Sequence, residues 1–201
     1  MRSTALVVLV CAWSAPSDAR EHLDADRSGP SWLVPTLHSA GLVFTMRYVC
    51  SLRWPETYNI RRVNRNWSTF GETWSEAPTF DAGERFFEWD HDPWTINLVG
   101  HGLMGSELYL RHRQARHPWW LALAMTVAWT VVWEYVVEGW HKHPSGVDLL
   151  WSPVGGGLLG EGRHHLVRLI RRLRPSVGRR ALLYAVDPFG QLERDLFDLP
   201  F

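Results

Sequence analysis

The stretch Asp90–Glu161 opens with DHDPWTINLVGHGLMGSELYLRHR (residues 90–113) and closes with WEYVVEGWHKHPSGVDLLWSPVGGGLLGE (residues 133–161). Asn97, His101, Glu134, Glu138, Asp148 and Glu161 lie inside, or at the ends of, segments that otherwise read as packed hydrophobic helix. A carboxylate in such surroundings is costly unless it is paired or hydrogen-bonded. Several of them at helical spacing predict a deliberate polar centre inside a helical fold.

Working outward, Asp92-Pro93 is a start signal for a helix over Trp94–Arg113. The next helix runs from Pro118 to about Gly139, with proline in its first turn and glycine at its end. Its apolar run, Trp119–Trp133, is shorter than a usual membrane span. Pro144-Ser145-Gly146 breaks the chain, and a further helix begins near Val147 and continues to Leu173, with Gly155-Gly156-Gly157 as a point of interruption. Upstream, Ser31–Leu52 reads as a first helix capped by Ser31, with His38, Arg47 and Tyr48 arguing against a membrane span. Pro55–Pro93 has no sustained period and reads as a long connector with one short helical piece near Asp81–Glu88. No strand-like alternation occurs. The expected fold is all-α: a compact bundle of about four main helices, a long irregular acidic connector and a basic C-terminal helix.

The chain divides accordingly into a signal peptide (1–19), a polar leader and first helix (20–54), an acidic aromatic connector (55–93), a helical domain (94–175) and a C-terminal tail (176–201). The signal reading rests on Arg2, an apolar run over Thr4–Trp13 and small residues at Ser17-Asp18-Ala19, and it predicts export to the periplasm or cell envelope. After cleavage Cys50 would stand alone, so burial must hold the fold, and 13 Trp supply much of the apolar area. A net formal charge of zero removes any global attraction to nucleic acid. The charge is uneven, however. Glu72–Asp92 carries seven acids against Arg85, while Arg163–Arg180 carries seven Arg and no acid. Leu166, Leu169, Ile170 and Leu173 give the basic segment an apolar stripe, the form of a helix that rests on an anionic membrane surface or envelope lipid.

Asn97, His101 and Gly105 share a helix face at spacings of four, as do Thr126, Thr130, Glu134 and Glu138. Two carboxylates four residues apart repel, and need a cation, a proton or donors between them. Three chemistries fit. A divalent metal can be held by Glu134 and Glu138 with the Glu161-x-x-His164 pair, since helical bundles build carboxylate sites from such parts. His101 can act as acid or base beside Glu134 or Glu138, with Asn97 and Asp148 as further site candidates and Ser145 as a possible nucleophile, in a hydrolase or transferase acting on a lipid or glycan-linked substrate. Or the same residues form a buried network that sets helix register. His141, His143 and the Asp90-His91-Asp92 trio read as loop and helix-start residues.

With these residues in view, the chain resembles the bacterial family known as domain of unknown function 3943. The resemblance rests on Asp90, Asp92, Trp94, Asn97, His101, Gly105, Ser106, Tyr109 and Arg113, and continues through Trp133, Glu134, Tyr135, Glu138, Pro144, Ser145, Asp148, Leu149, Gly160 and Glu161. It spans roughly residues 74–165, and departs from the family pattern at Gly102, where proline is usual. It implies an exported bacterial envelope protein with a helical domain, and brings no activity with it. A fainter similarity is to the VanZ-like membrane proteins, whose Glu, Asp and Gly-rich helix follow a comparable order.

Overall fold

The computed structural model describes residues 30–55, 58 and 67–197, so the signal-peptide reading lies outside the described residues. Seven helices occur among them, and no strand. They are α1 (Leu33–Arg53), α2 (Trp67–Ser75), α3 (Gly102–Gln114), α4 (Trp119–Val131), α5 (Gly146–Arg171), α6 (Val177–Val186) and α7 (Pro188–Phe197). A π-helical turn, Thr95–His101, leads without a break into α3, and a second, Val132–Glu138, extends α4. The four expected main helices are therefore α1, α3, α4 and α5. Ser145 caps α5 by accepting from Asp148 N, and the helix runs unbroken through Pro153 and the three glycines where an interruption was expected.

Three expectations are corrected. The short helix forms at Trp67–Ser75, and residues 81–88 hold only turns. Ser31 does not cap α1; Trp32 occupies that position without a side-chain hydrogen bond. The tail beyond residue 176 is helical, with Ser176 capping α6 by accepting from Arg179 N. Leu183 of α6 packs on Val167 and Ile170 of α5, so of the apolar stripe Ile170 docks the tail while Leu166, Leu169 and Leu173 stay exposed.

The long helices run alternately up and down. Ser31 N bonds to Ala115 O, placing the start of α1 beside the end of α3. Trp151 Nε1 donates to Leu98 O near the other end, and Arg113 pairs with Glu161 far along α5. One end of the bundle thus carries the connector and the α4–α5 loop, and the opposite end gathers the arginines, α6 and α7. Small residues set the spacing. A Cβ at Gly105 would lie 1.9 Å from Ser152 O, and one at Gly156 would lie 2.7 Å from Gly105, so α3 and α5 touch backbone to backbone.

Burial runs against the usual order. On α4 the buried residues are Ala122, Thr126 and Thr130, while Trp119, Trp120, Val127 and Val131 are exposed. On α5 Asp148, Ser152 and the glycines are buried, with Leu150, Val154 and Leu158 outside. On α1 Ser39 is enclosed, and Leu33, Leu37, Phe44 and Leu52 are exposed. A small apolar core of Val43, Met104, Leu108, Trp133 and Val137 remains inside.

Candidate functional site

At the connector end, the two π turns and the first turn of α5 bring His101, Glu134 and Asp148 together. One ligand-type atom from each lies within 4.8 Å of the others. All three side chains are buried, Glu134 and Asp148 completely. Neither π turn was legible in the sequence, yet each carries a residue of this cluster. A π turn is an extra residue in an α-helix, and such insertions recur where a side chain must be re-aimed at a functional site.

His101 Nδ1 lies 3.1 Å from Ser152 Oγ, and Nε2 lies 3.3 Å from Asp148 Oδ2. Glu134 Oε2 accepts from Ser145 N at 2.8 Å. The remaining Glu134 oxygen and both Asp148 oxygens accept no hydrogen bond. Ser145 keeps its hydroxyl in the cluster, accepting from Asp148 N. The same hydroxyl faces the carboxyl groups of Asp90 and Asp148, so it ties the start of α5 to the connector.

Glu138 belongs to an adjoining and closed arrangement. It accepts from Tyr58 OH at 2.7 Å and pairs with Lys142 Nζ at 3.0 Å, which also reaches Asp92 at 2.5 Å. Burial would lower the Lys142 pKa, but Glu138, Tyr58 and Asp92 raise it well above the usual lysine value, so the ammonium is fixed there. Asn97 Nδ2 donates to Phe87 O and to Asp90 Oδ1. Burial would raise Asp90, but Ser145, Asn97 and Lys142 hold it below the usual carboxylate range. Asn97 and Glu138 therefore hold the connector down over the cluster.

The connector is the part that sequence reasoning missed. Thr79 bridges Ser145 through paired backbone bonds of 2.8 Å and 3.0 Å, and Phe87 and His91 adopt positive φ around the segment that reaches Asn97. Non-glycine residues in that region are held there by surrounding structure. Tyr58 and Lys142 were also unforeseen, because a tyrosine in a connector and a lysine in a loop carry no periodic signal.

Glu161 and His164, expected beside Glu134, lie far along α5. Thirteen residues of helix separate Glu161 from Asp148, about 20 Å. Glu161 accepts from Arg113 and Tyr109, with Arg113 Nε at 2.7 Å. The Arg113 guanidinium holds the Glu161 carboxyl at about 2 against the burial that would raise it.

A second buried polar group occupies the arginine end. Arg111 pairs with Glu107 at 2.8 Å, with Asp187 and with Glu193, and Arg163 reaches Glu107 and Ser106 at 2.8 Å each. His38 of α1 contacts Glu107 and Glu193. Glu107 and Arg111, four apart on α3, form an i, i+4 pair that was not singled out from the sequence.

An up-and-down helical bundle with an enclosed His–Glu–Asp cluster, roofed by an acidic loop, is thus the class of protein that fold and site define. More particularly, the chain belongs to the family described as Domain of unknown function (DUF3943), whose model matches residues 86–189. That match takes in the cluster, the last eight residues of the connector (86–93) and Asp187. No curated protein and no solved structure matches the chain.

Proposed function

We propose that this is an envelope protein whose bundle sits within a lipid bilayer and whose His101–Glu134–Asp148 centre handles a lipid or glycan-linked substrate at one membrane face. The observation that carries the reading is the inverted burial of α1, α4 and α5. Helices that turn Thr, Ser, Gly and carboxylates inward and Leu, Val and Trp outward are stable only where the surroundings are as apolar as that outer face. Small residues at helix contacts and ionisable residues turned to the bundle interior are the matching features of packing in lipid.

Dimensions agree. Trp119–Glu138 is a continuous apolar helix of 20 residues, about 30 Å, the thickness of a bilayer core. Exposed Trp32, Trp119 and Trp120 mark one end, and exposed Trp67, Trp74 and Trp94 the other. Aromatic side chains collect at both membrane interfaces in this way. Within such a placement α5 holds residues 147–160, about 21 Å of helix, in the bilayer, and Glu161 and the following arginines rise toward the headgroups, where they favour anionic lipid. The apolar leader at residues 4–13 supports export.

A purely structural network is the competing reading, and the closed Glu138–Lys142–Tyr58 group favours it for that part. The lack of a lysine or arginine partner for Glu134 and Asp148 favours function for the cluster, since the buried Glu138 and Glu107 each meet one.

The test is depth measurement by spin label. Labels at Val127 and Leu158, in full-length protein reconstituted in vesicles, should relax strongly with dissolved oxygen and weakly with a water-soluble nickel chelate. The reverse pattern at both positions, or a chain recovered monodisperse without detergent, overturns the bilayer placement. For the centre, His101→Ala should leave folding intact; a loss of about 1–3 kcal/mol, the cost of a stranded buried partner, would return it to a structural role.

A further inference from the structure

We propose that the centre binds one divalent transition-metal ion, of the zinc type, through His101 Nε2, Glu134 and Asp148, with a fourth position left for water. This rests on the reading that the cluster is functional, and it names what the cluster holds.

Geometry is the first support. The 3.3 Å from His101 Nε2 to Asp148 Oδ2 equals the edge of a tetrahedron around an ion with bonds of about 2.1 Å. Glu134 completes a triangle whose ligand atoms all lie within 4.8 Å. The second support is the set of atoms left without partners. Both Asp148 oxygens and Glu134 Oε1 are buried and accept nothing. The one ammonium nearby is committed, since Lys142 spans Glu138 and Asp92. Two buried carboxyl groups therefore face the imidazole with no protein cation between them, a donor set that one divalent ion would gather.

The surrounding contacts orient the ligands as metal sites require. Ser152 Oγ meets His101 Nδ1, and by accepting from Nδ1–H it would leave the Nε2 lone pair on the side of Asp148 for an ion. Ser145 N holds the non-ligating oxygen of Glu134. Partners of this kind fix the tautomer and the rotamer of a ligand before the ion arrives. One nitrogen and two oxygen donors suit zinc or manganese better than the all-oxygen shells of calcium and magnesium. Three protein ligands with an open fourth position are the pattern of hydrolytic zinc sites, where the ion lowers the pKa of its water. Glu161 and His164 take no part, because Arg113 and Tyr109 hold Glu161 at the other end.

Titration of cobalt(II) into tag-free full-length protein, stripped with chelator and kept in detergent, tests this. One equivalent should bind, with visible bands of a four- or five-coordinate ion. His101→Ala and Asp148→Asn should each weaken binding at least about 100-fold, and Ser152→Ala about 10-fold or more, the usual effect of removing an orienting partner. Glu161→Gln should bind as wild type. Absence of binding by helical, monodisperse wild-type protein overturns the proposal, as does binding that survives both ligand variants. Should those variants not fold, the melting temperature of wild type decides: zinc must raise it above its value in chelator, and no shift sinks the site. A bundle that inserts in lipid but binds no metal defeats this inference alone. Metal binding by a chain that proves water-soluble defeats only the membrane placement.

Discussion

The bundle buries charge at both ends, and it does so in opposite ways. At the arginine end Glu107, Asp187 and Glu193 share Arg111, Arg163 and His38, so every acid meets a cation. At the connector end Glu138 and Asp92 share Lys142, while Glu134 and Asp148 have no cation. The first arrangement is closed and holds α3 and α5 to the tail. The second is left open at its middle. Satisfied charge serves cohesion, and unsatisfied charge marks a place where something else is expected to sit.

Substitutions can break this contrast, the largest effect first. Arg111→Ala leaves buried Asp187 without its arginine partner and Glu107 with one arginine, Arg163, so it should cost about 3–5 kcal/mol in denaturant unfolding. Gly105→Ala places a methyl 1.9 Å from Ser152 O and must push α3 from α5, at a cost of about 1–3 kcal/mol in the same assay. At the open end the sign reverses. Asp148→Asn, measured in chelator, replaces a buried carboxyl that has no lysine or arginine partner by its neutral isostere, so stability should hold or rise by about 1 kcal/mol. A loss comparable to that of Arg111→Ala would show that the two ends are alike after all.

Two smaller effects sharpen the contrast. Glu161 titrates at about 2 in the folded protein against 4.5 ordinarily, because Arg113 holds it ionised. Its contribution is therefore full above pH 4.5 and is lost as pH falls through about 2. The group is partly exposed, so about 0.2–1 kcal/mol should disappear across that window, and Glu161→Gln should flatten the melting-temperature slope there. Last, Leu158→Ala on the outer face of α5 should change stability by no more than about 0.5 kcal/mol, because no protein packing is lost. A larger loss would mean that the outer face packs against protein.

Much of this was legible in the sequence. Helix bounds followed from proline, glycine and apolar runs, and the four-residue spacing of Thr126, Thr130, Glu134 and Glu138 put them on one face. Spacing identifies a shared face but not which way that face turns, so the inversion of α4 required the packed structure. The connector was opaque for another reason. Its role depends on pairings with distant residues, such as Thr79 with Ser145 and Asp92 with Lys142, and local periodicity carries no trace of them. Helices α6 and α7 escaped notice because short helices are held by docking, as Leu183 is on Ile170, more than by intrinsic propensity.

The two π turns have a consequence for how this chain tolerates change in length. Each amounts to one surplus residue in an otherwise regular helix. Deleting a single residue from 95–101 or from 132–138 would let that helix relax to α geometry with its two flanks still in register, so that only the side chains inside the turn are re-aimed. His101 or Glu134 would then swing out of the cluster although every side chain of the site was still encoded. Reading frame along the helix, and not residue identity alone, is what a lineage of such sequences must preserve.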